Sequence, residues 1–100
     1  MTFEEKLNKF KSERVGFRVG SEEIAKELAK VFKRNHMKPR EGRSPADVTG
    51  YAWRYIKDNS YVTYNYRKGE HKLSCGRTFL SGSELKILDV TLEELKVYNG

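Results

Sequence analysis

The chain has 100 residues, with 20 Lys or Arg against 14 Asp or Glu, for a formal net charge of +6. That length supports one modest core rather than two, so residues 1–100 are expected to form a single domain, and 12% aromatic residues argue against disorder. No stretch approaches the ~20 apolar residues of a membrane span. MTFEEKLNKF has no signal-peptide core, and a lone Cys75 excludes an internal disulfide, so a cytoplasmic protein with no membrane association is expected.

The charge is placed unevenly. Residues 1–32 carry 7 basic and 6 acidic groups, residues 33–77 carry 11 and 4, and residues 78–100 carry 2 and 4. A positive excess confined to the middle of the chain points to a local anionic partner rather than to general basicity.

Thr2-Phe3-Glu4-Glu5 has the form of a capping box, and Phe3, Leu7 and Phe10 follow at helical spacing, predicting a short helix to about Lys11. Val15, Phe17 and Val19 alternate with Gly16 and Arg18 as in a half-buried strand. Ser21 can cap a second helix, whose stripe of Ile24, Leu28, Val31 and Phe32 is widened by Ala25 and Ala29. Residues 35–50 hold two Pro and two Gly without a period and read as a long basic loop.

From Tyr51 the pattern is strand, turn, strand: Asp58-Asn59 turns 51–57 back on 60–67. A turn at Lys68-Gly69 or Gly69-Glu70 leads to a strand over 72–80, Ser81-Gly82-Ser83 to a strand over 85–90. Thr91-Leu92-Glu93-Glu94 is a second capping box and opens a last short helix with Leu92 and Leu95 inward. The expected fold class is α+β: a four- to five-stranded, mainly antiparallel sheet packed against one main helix, with short N- and C-terminal helices.

The stretch YAWRYIKDNSYVTYNY interleaves Trp53 and five Tyr with Arg54 and Lys57, as a stacking platform for single-stranded nucleic acid would. An even-numbered turn at 58–59 sends Tyr51, Trp53, Tyr55, Val62, Tyr64 and Tyr66 to one face of a hairpin, under the main helix, and makes them core. The opposite face then offers Arg54, Tyr61, Thr63 and Asn65, whereas an odd-numbered loop would mix the two faces.

Lys33, Arg34, His36, Lys38, Arg40 and Arg43 put five fixed positive charges and one His in eleven residues, against Glu41 alone. Such a run suits contact with phosphates or with an acidic protein surface. It also suits a solvated helix end running into an ordinary loop. Arg54, Tyr61, Arg67 and Lys68 complete the set of candidate binding residues. His36, His71 and Cys75 are too few for a zinc site. Cys75 reads as a small core residue and Gly76 as a bulge or a close packing point. Neither a phosphate loop nor a catalytic triad is identifiable, so no enzyme activity, cofactor or metal is expected.

GFRVGSEEIAKELAKVF, a Trp-bearing YAWRYI and YVTYNY pair, CGRTF and LKILDVTLEEL together resemble the small α+β proteins of phage and prophage accessory genes. The basic insert at 35–50 departs from that pattern. The resemblance implies a binding protein without chemistry of its own, of the host-takeover or anti-defence kind that includes anti-CRISPR proteins, acting in a host cytoplasm. The expected partner is a nucleic acid or a nucleoprotein effector, met by the basic surface. The alternatives are a protein-only inhibitor docking by a sheet edge or helix face, and a regulatory partner that homodimerises by edge-strand pairing, so the chain is expected as a monomer or a homodimer.

Overall fold

The computed structural model describes residues 1–39, 42–66, 70–77 and 85–100. Helix α1 (Phe3–Ser12) begins at Thr2, whose hydroxyl accepts from the Glu5 N–H at 3.2 Å while its own N–H donates to the Glu5 carboxylate at 3.3 Å. The box holds two N–H groups that the first turn leaves unpaired. Phe3, Leu7 and Phe10 face inward, as their spacing predicts. The end of α1 is clamped by the buried side-chain amide of Asn65, which donates to the carbonyls of Phe10, Lys11 and Glu13. Asn65 is thereby structural rather than part of an exposed face.

Strand β1 (Val15–Val19) leads to α2 (Glu22–Arg34), capped by the Ser21 hydroxyl accepting from the Ile24 N–H at 3.1 Å. Ala25, Leu28, Val31 and Phe32 of α2 are buried against the sheet and α1. The helix ends in paired bonds, His36 N–H to Lys33 C=O at 3.1 Å and Met37 N–H to Phe32 C=O at 2.9 Å, with His36 at φ 56°. This is a Schellman turn, and buried Met37 and Phe32 supply its usual apolar contact.

The loop expected over 35–50 is shorter than its sequence suggests, because α3 (Pro45–Tyr51) occupies its second half. Ser44 forms a capping box with Asp47, its N–H donating to the carboxylate at 2.8 Å, and Pro45 stands at the first helical position, where its missing N–H costs nothing. The chain continues through a π-helical turn (Ala52–Ile56) and a 3₁₀ turn (Lys57–Asn59) into β2 (Ser60–Thr63). The strand expected over 51–57, and with it the aromatic hairpin, does not form. Alternate Tyr at 51 and 55 fits a strand, but the same positions are i and i+4 on a helix, and the capping box at Ser44 sets the helix going.

Strands β3 (Ser74–Arg77) and β4 (Lys86–Leu88) and helix α4 (Leu92–Asn99) complete the fold. The sheet order is β3-β2-β1-β4, antiparallel at β1–β2 and β2–β3 but parallel at β1–β4. The expected meander is corrected accordingly. With 51–57 helical, β2 pairs with β1 directly, and the other edge of β1 is left for β4. The turns expected at 68–70 and 81–83 fall on or beside residues outside those described.

The protein is α+β, with helices gathered on one face of a mixed sheet. Under them Phe10 stacks between Phe17 (centroids 4.4 Å) and Phe32 (5.2 Å). α4, started by the Thr91–Glu94 box, buries Leu95 and leaves Leu92 half-buried. The opposite face explains why β1 is buried on both sides rather than half-buried. Tyr61 lies over two glycines: a Cβ at Gly16 would stand 3.3 Å from its ring and 2.9 Å from Ile87, and a Cβ at Gly76 would stand 2.7 Å from its hydroxyl. The close packing point expected at Gly76 is real.

Candidate anion-binding groove

A groove of roughly 750 Å³ runs between α2 and the segment from Ser44 to Lys57. Its α2 wall carries Lys26, Lys30 and Lys33, spaced i, i+4 and i+7 and so on one side of the helix, spread over about 10 Å. The apolar stripe of α2 faces the core, which turns this side to solvent; the Lys26 and Lys30 side chains are 71% and 65% exposed. The opposite wall carries Arg54 and Lys57, both exposed. Small residues, among them Ala25, Ala29 and Gly50, form the floor with Trp53.

Among the described residues, five cations thus line the groove against one acid, Glu22. Glu22 lies 3.6 Å from Lys26, and Glu27, outside the groove, lies 2.7 Å from Lys30. The Lys30 bond holds the Glu27 carboxyl below its ordinary pKa. The Lys26–Glu22 pair is exposed on both sides and so weak, worth ~0–1 kcal/mol, which leaves the Lys26 ammonium able to turn to another anion. Glu27, by contrast, is buried and holds Lys30 more firmly at the groove edge. Lys33, Arg54 and Lys57 form no ion pair among the described residues.

Trp53 is half-buried, with part of its ring packed on the core and part lining the groove, and the Lys57 ammonium stands 5.4 Å from the ring centroid. Lys57 has φ 71° and ψ −143°, a backbone conformation that a side-chain-bearing residue rarely adopts. Its N–H donates to the Ala52 carbonyl and its carbonyl accepts from the Ser60 hydroxyl at 2.6 Å, so the surroundings enforce the geometry.

The residues expected to bind are divided by the structure. Lys33 and Arg54 come together across the groove. Arg34 is committed elsewhere: it donates to the Tyr98 and Asn99 carbonyls at 2.8 and 3.0 Å and lies over the Tyr98 ring, tying α2 to the end of α4. His36 is exposed but placed by the Schellman turn. Lys38 and Arg43 are exposed and lie outside the groove. Tyr61, expected on an open face, is only 4% exposed, because the two glycines let its ring lie flat on the sheet. Arg40, Arg67 and Lys68 are outside the described residues.

The aromatic core expected from the hairpin is likewise corrected. Tyr51 and Tyr55 are 54% and 60% exposed, with ring centroids 4.8 Å apart, while Trp53 and Tyr64 are half-buried and Tyr66 is exposed. Cys75 is partly buried against the core, and burial pushes its thiol pKa up, away from the reactive thiolate. Sequence reasoning missed Lys26, Lys30 and Lys57. The Lys26-Lys30-Lys33 spacing was a usable signal; the meeting of that stripe with Arg54 and Lys57 was not, since it depends on α3 being a helix.

No described helix is long and apolar enough to cross a membrane. No protein-family model, curated protein or solved structure matches the chain.

Proposed function

We propose that the protein binds the phosphate backbone of a nucleic acid, free or displayed on a nucleoprotein effector, through the groove between α2 and α3. In this reading it is a small anti-defence inhibitor of the phage-encoded kind, working in the cytoplasm of a host cell and occupying a surface without chemistry of its own. The observation that carries the binding function is the groove lining: Lys26, Lys30 and Lys33 face Arg54 and Lys57 from separate elements, with Glu22 the one acid opposed to them among the described residues. Cations on both walls surround a polyanion and add their attraction where the groove narrows solvent access. The surface differs from the basic run at 33–43, which loses Arg34 to the C-terminus and His36 to a turn.

The test is a salt titration with short oligonucleotides. The logarithm of the binding constant should fall linearly with that of salt concentration, by about 0.7 to 0.9 per phosphate contacted. Replacing Lys33, Arg54 and Lys57 together by Ala should lower that slope by about 2 to 3 while changing stability by less than about 0.5 kcal/mol per site. An unaltered slope in the triple variant rules out the groove. Absence of binding to any nucleic acid at low salt ends the phosphate reading and leaves an acidic protein surface as the groove's occupant.

A further inference from the structure

Granting that the groove takes nucleic acid, we infer that it takes a single strand, with one base laid on the face of Trp53 and its neighbouring phosphates on the basic walls. Three observations carry this. The groove is amphipathic: its rim is cationic, while its floor is built from Ala25, Ala29 and Gly50 beside an indole. A duplex presents phosphates outward and hides its base faces, so it would use the rim and leave the floor empty. A single strand can use both. Second, the Trp53 ring face is already an electrostatic site, since the Lys57 ammonium rests 5.4 Å from its centroid. A base sliding over the indole would displace that ammonium towards a phosphate, exchanging one cation–π contact for a stack and an ion pair. Third, Lys57 is held at φ 71° by bonds to Ala52 and Ser60, and backbone outliers of this kind gather at binding sites.

An acidic amphipathic helix is the competing occupant. It would need apolar sockets about one helical turn apart for its anchors. Among the described residues the floor offers one large ring, and its remaining apolar residues are small.

Trp53 is the sole tryptophan, so its emission reports the contact directly. The wild-type protein is titrated at low salt with a mixed-sequence 12-nucleotide single strand, the same sequence as a duplex, and polyglutamate. The single strand should quench Trp53 and bind about tenfold or more tighter than the duplex. Because part of Trp53 packs on the core, Trp53→Leu and Trp53→Phe are compared using a labelled strand and a thermal melt. Leu should weaken single-strand binding roughly 5- to 150-fold, the span of one base stack, and Phe should restore part of the loss. Equal binding of strand and duplex with unchanged emission overturns this inference and leaves the phosphate reading standing. Failure of every nucleic acid removes both. Quenching by polyglutamate but not by the strand assigns the groove to an acidic peptide and overturns the inference.

Discussion

His36 and Lys57 show how a cationic side chain can occupy its position for reasons of backbone shape. His36 is the left-handed residue of the Schellman turn closing α2, a place that glycine fills at lower conformational cost. His36→Gly should therefore stabilise the protein by roughly 0.5–1 kcal/mol, the part of the left-handed cost that survives glycine's greater freedom in the unfolded chain. Urea unfolding with an unchanged m-value measures it, and a loss of stability would show that the imidazole makes a contact of its own. Oligonucleotide affinity should not move, since His36 lies outside the groove. The density of charge at 33–43 was legible in the sequence. The diversion of Arg34 to the carbonyls of Tyr98 and Asn99 was not, because those residues are more than sixty positions away.

At the scale of elements, the segment from Ser44 to Asn59 decides the character of the protein. Pro45 after Ser44, with Asp47 at the third helical position, is a helix start written locally, and Val48 and Ala52 follow at helical spacing towards the core. The period-2 pattern of aromatics obscured it. A helix of seven residues depends on its cap, being too short to hold itself by propagation. Ser44→Ala should cost about 0.5–2 kcal/mol and speed hydrogen exchange at residues 47–51. Unchanged exchange there would mean that packing against α2 alone holds the wall. The elements that were read correctly, α1, β1, α2 and α4, each have a cap or alternation that agrees with where they pack. The segment 51–57 had two compatible periods, and its neighbours chose between them.

At the scale of the molecule, caps and one cross-link share a pH dependence. Burial alone would raise the Glu94 carboxyl, but its bonds to Thr91 and to Lys6, 3.0 Å away, outweigh burial and hold its pKa below the ordinary 4.5. Bonds to Thr2 lower Glu5, and bonds to Ser44 lower Asp47, in the same way. Carboxyls depressed in the folded state add stability above their unfolded pKa and lose it as pH falls through the folded one. The melting temperature should accordingly fall below about pH 4.5, on a chain whose net charge of +6 grows further with each protonation. Glu94→Gln should lower the plateau at neutral pH and flatten the acid limb. A variant with the same profile as the wild type would show that the Lys6–Glu94 tie between α1 and α4 contributes nothing.

By itself the sequence determined what is local or periodic over a single element: the Thr2 and Thr91 boxes, the Ser21 cap, the apolar stripe of α2, the α+β class and the basic middle. The caps and the stripe are settled by residues within about a dozen positions of one another, where short-range bonding and amphipathic spacing act without help from the rest of the chain. The class and the charge placement are sums over such local signals. Tertiary structure decided three things: the helical state of 51–56, the parallel seat of β4 on β1, and the burial of Tyr61 over Gly16 and Gly76. It also decided the groove. Lys33 and Arg54 are 21 positions apart and belong to different elements, and only the packing of α3 on α2 makes their charges a single surface.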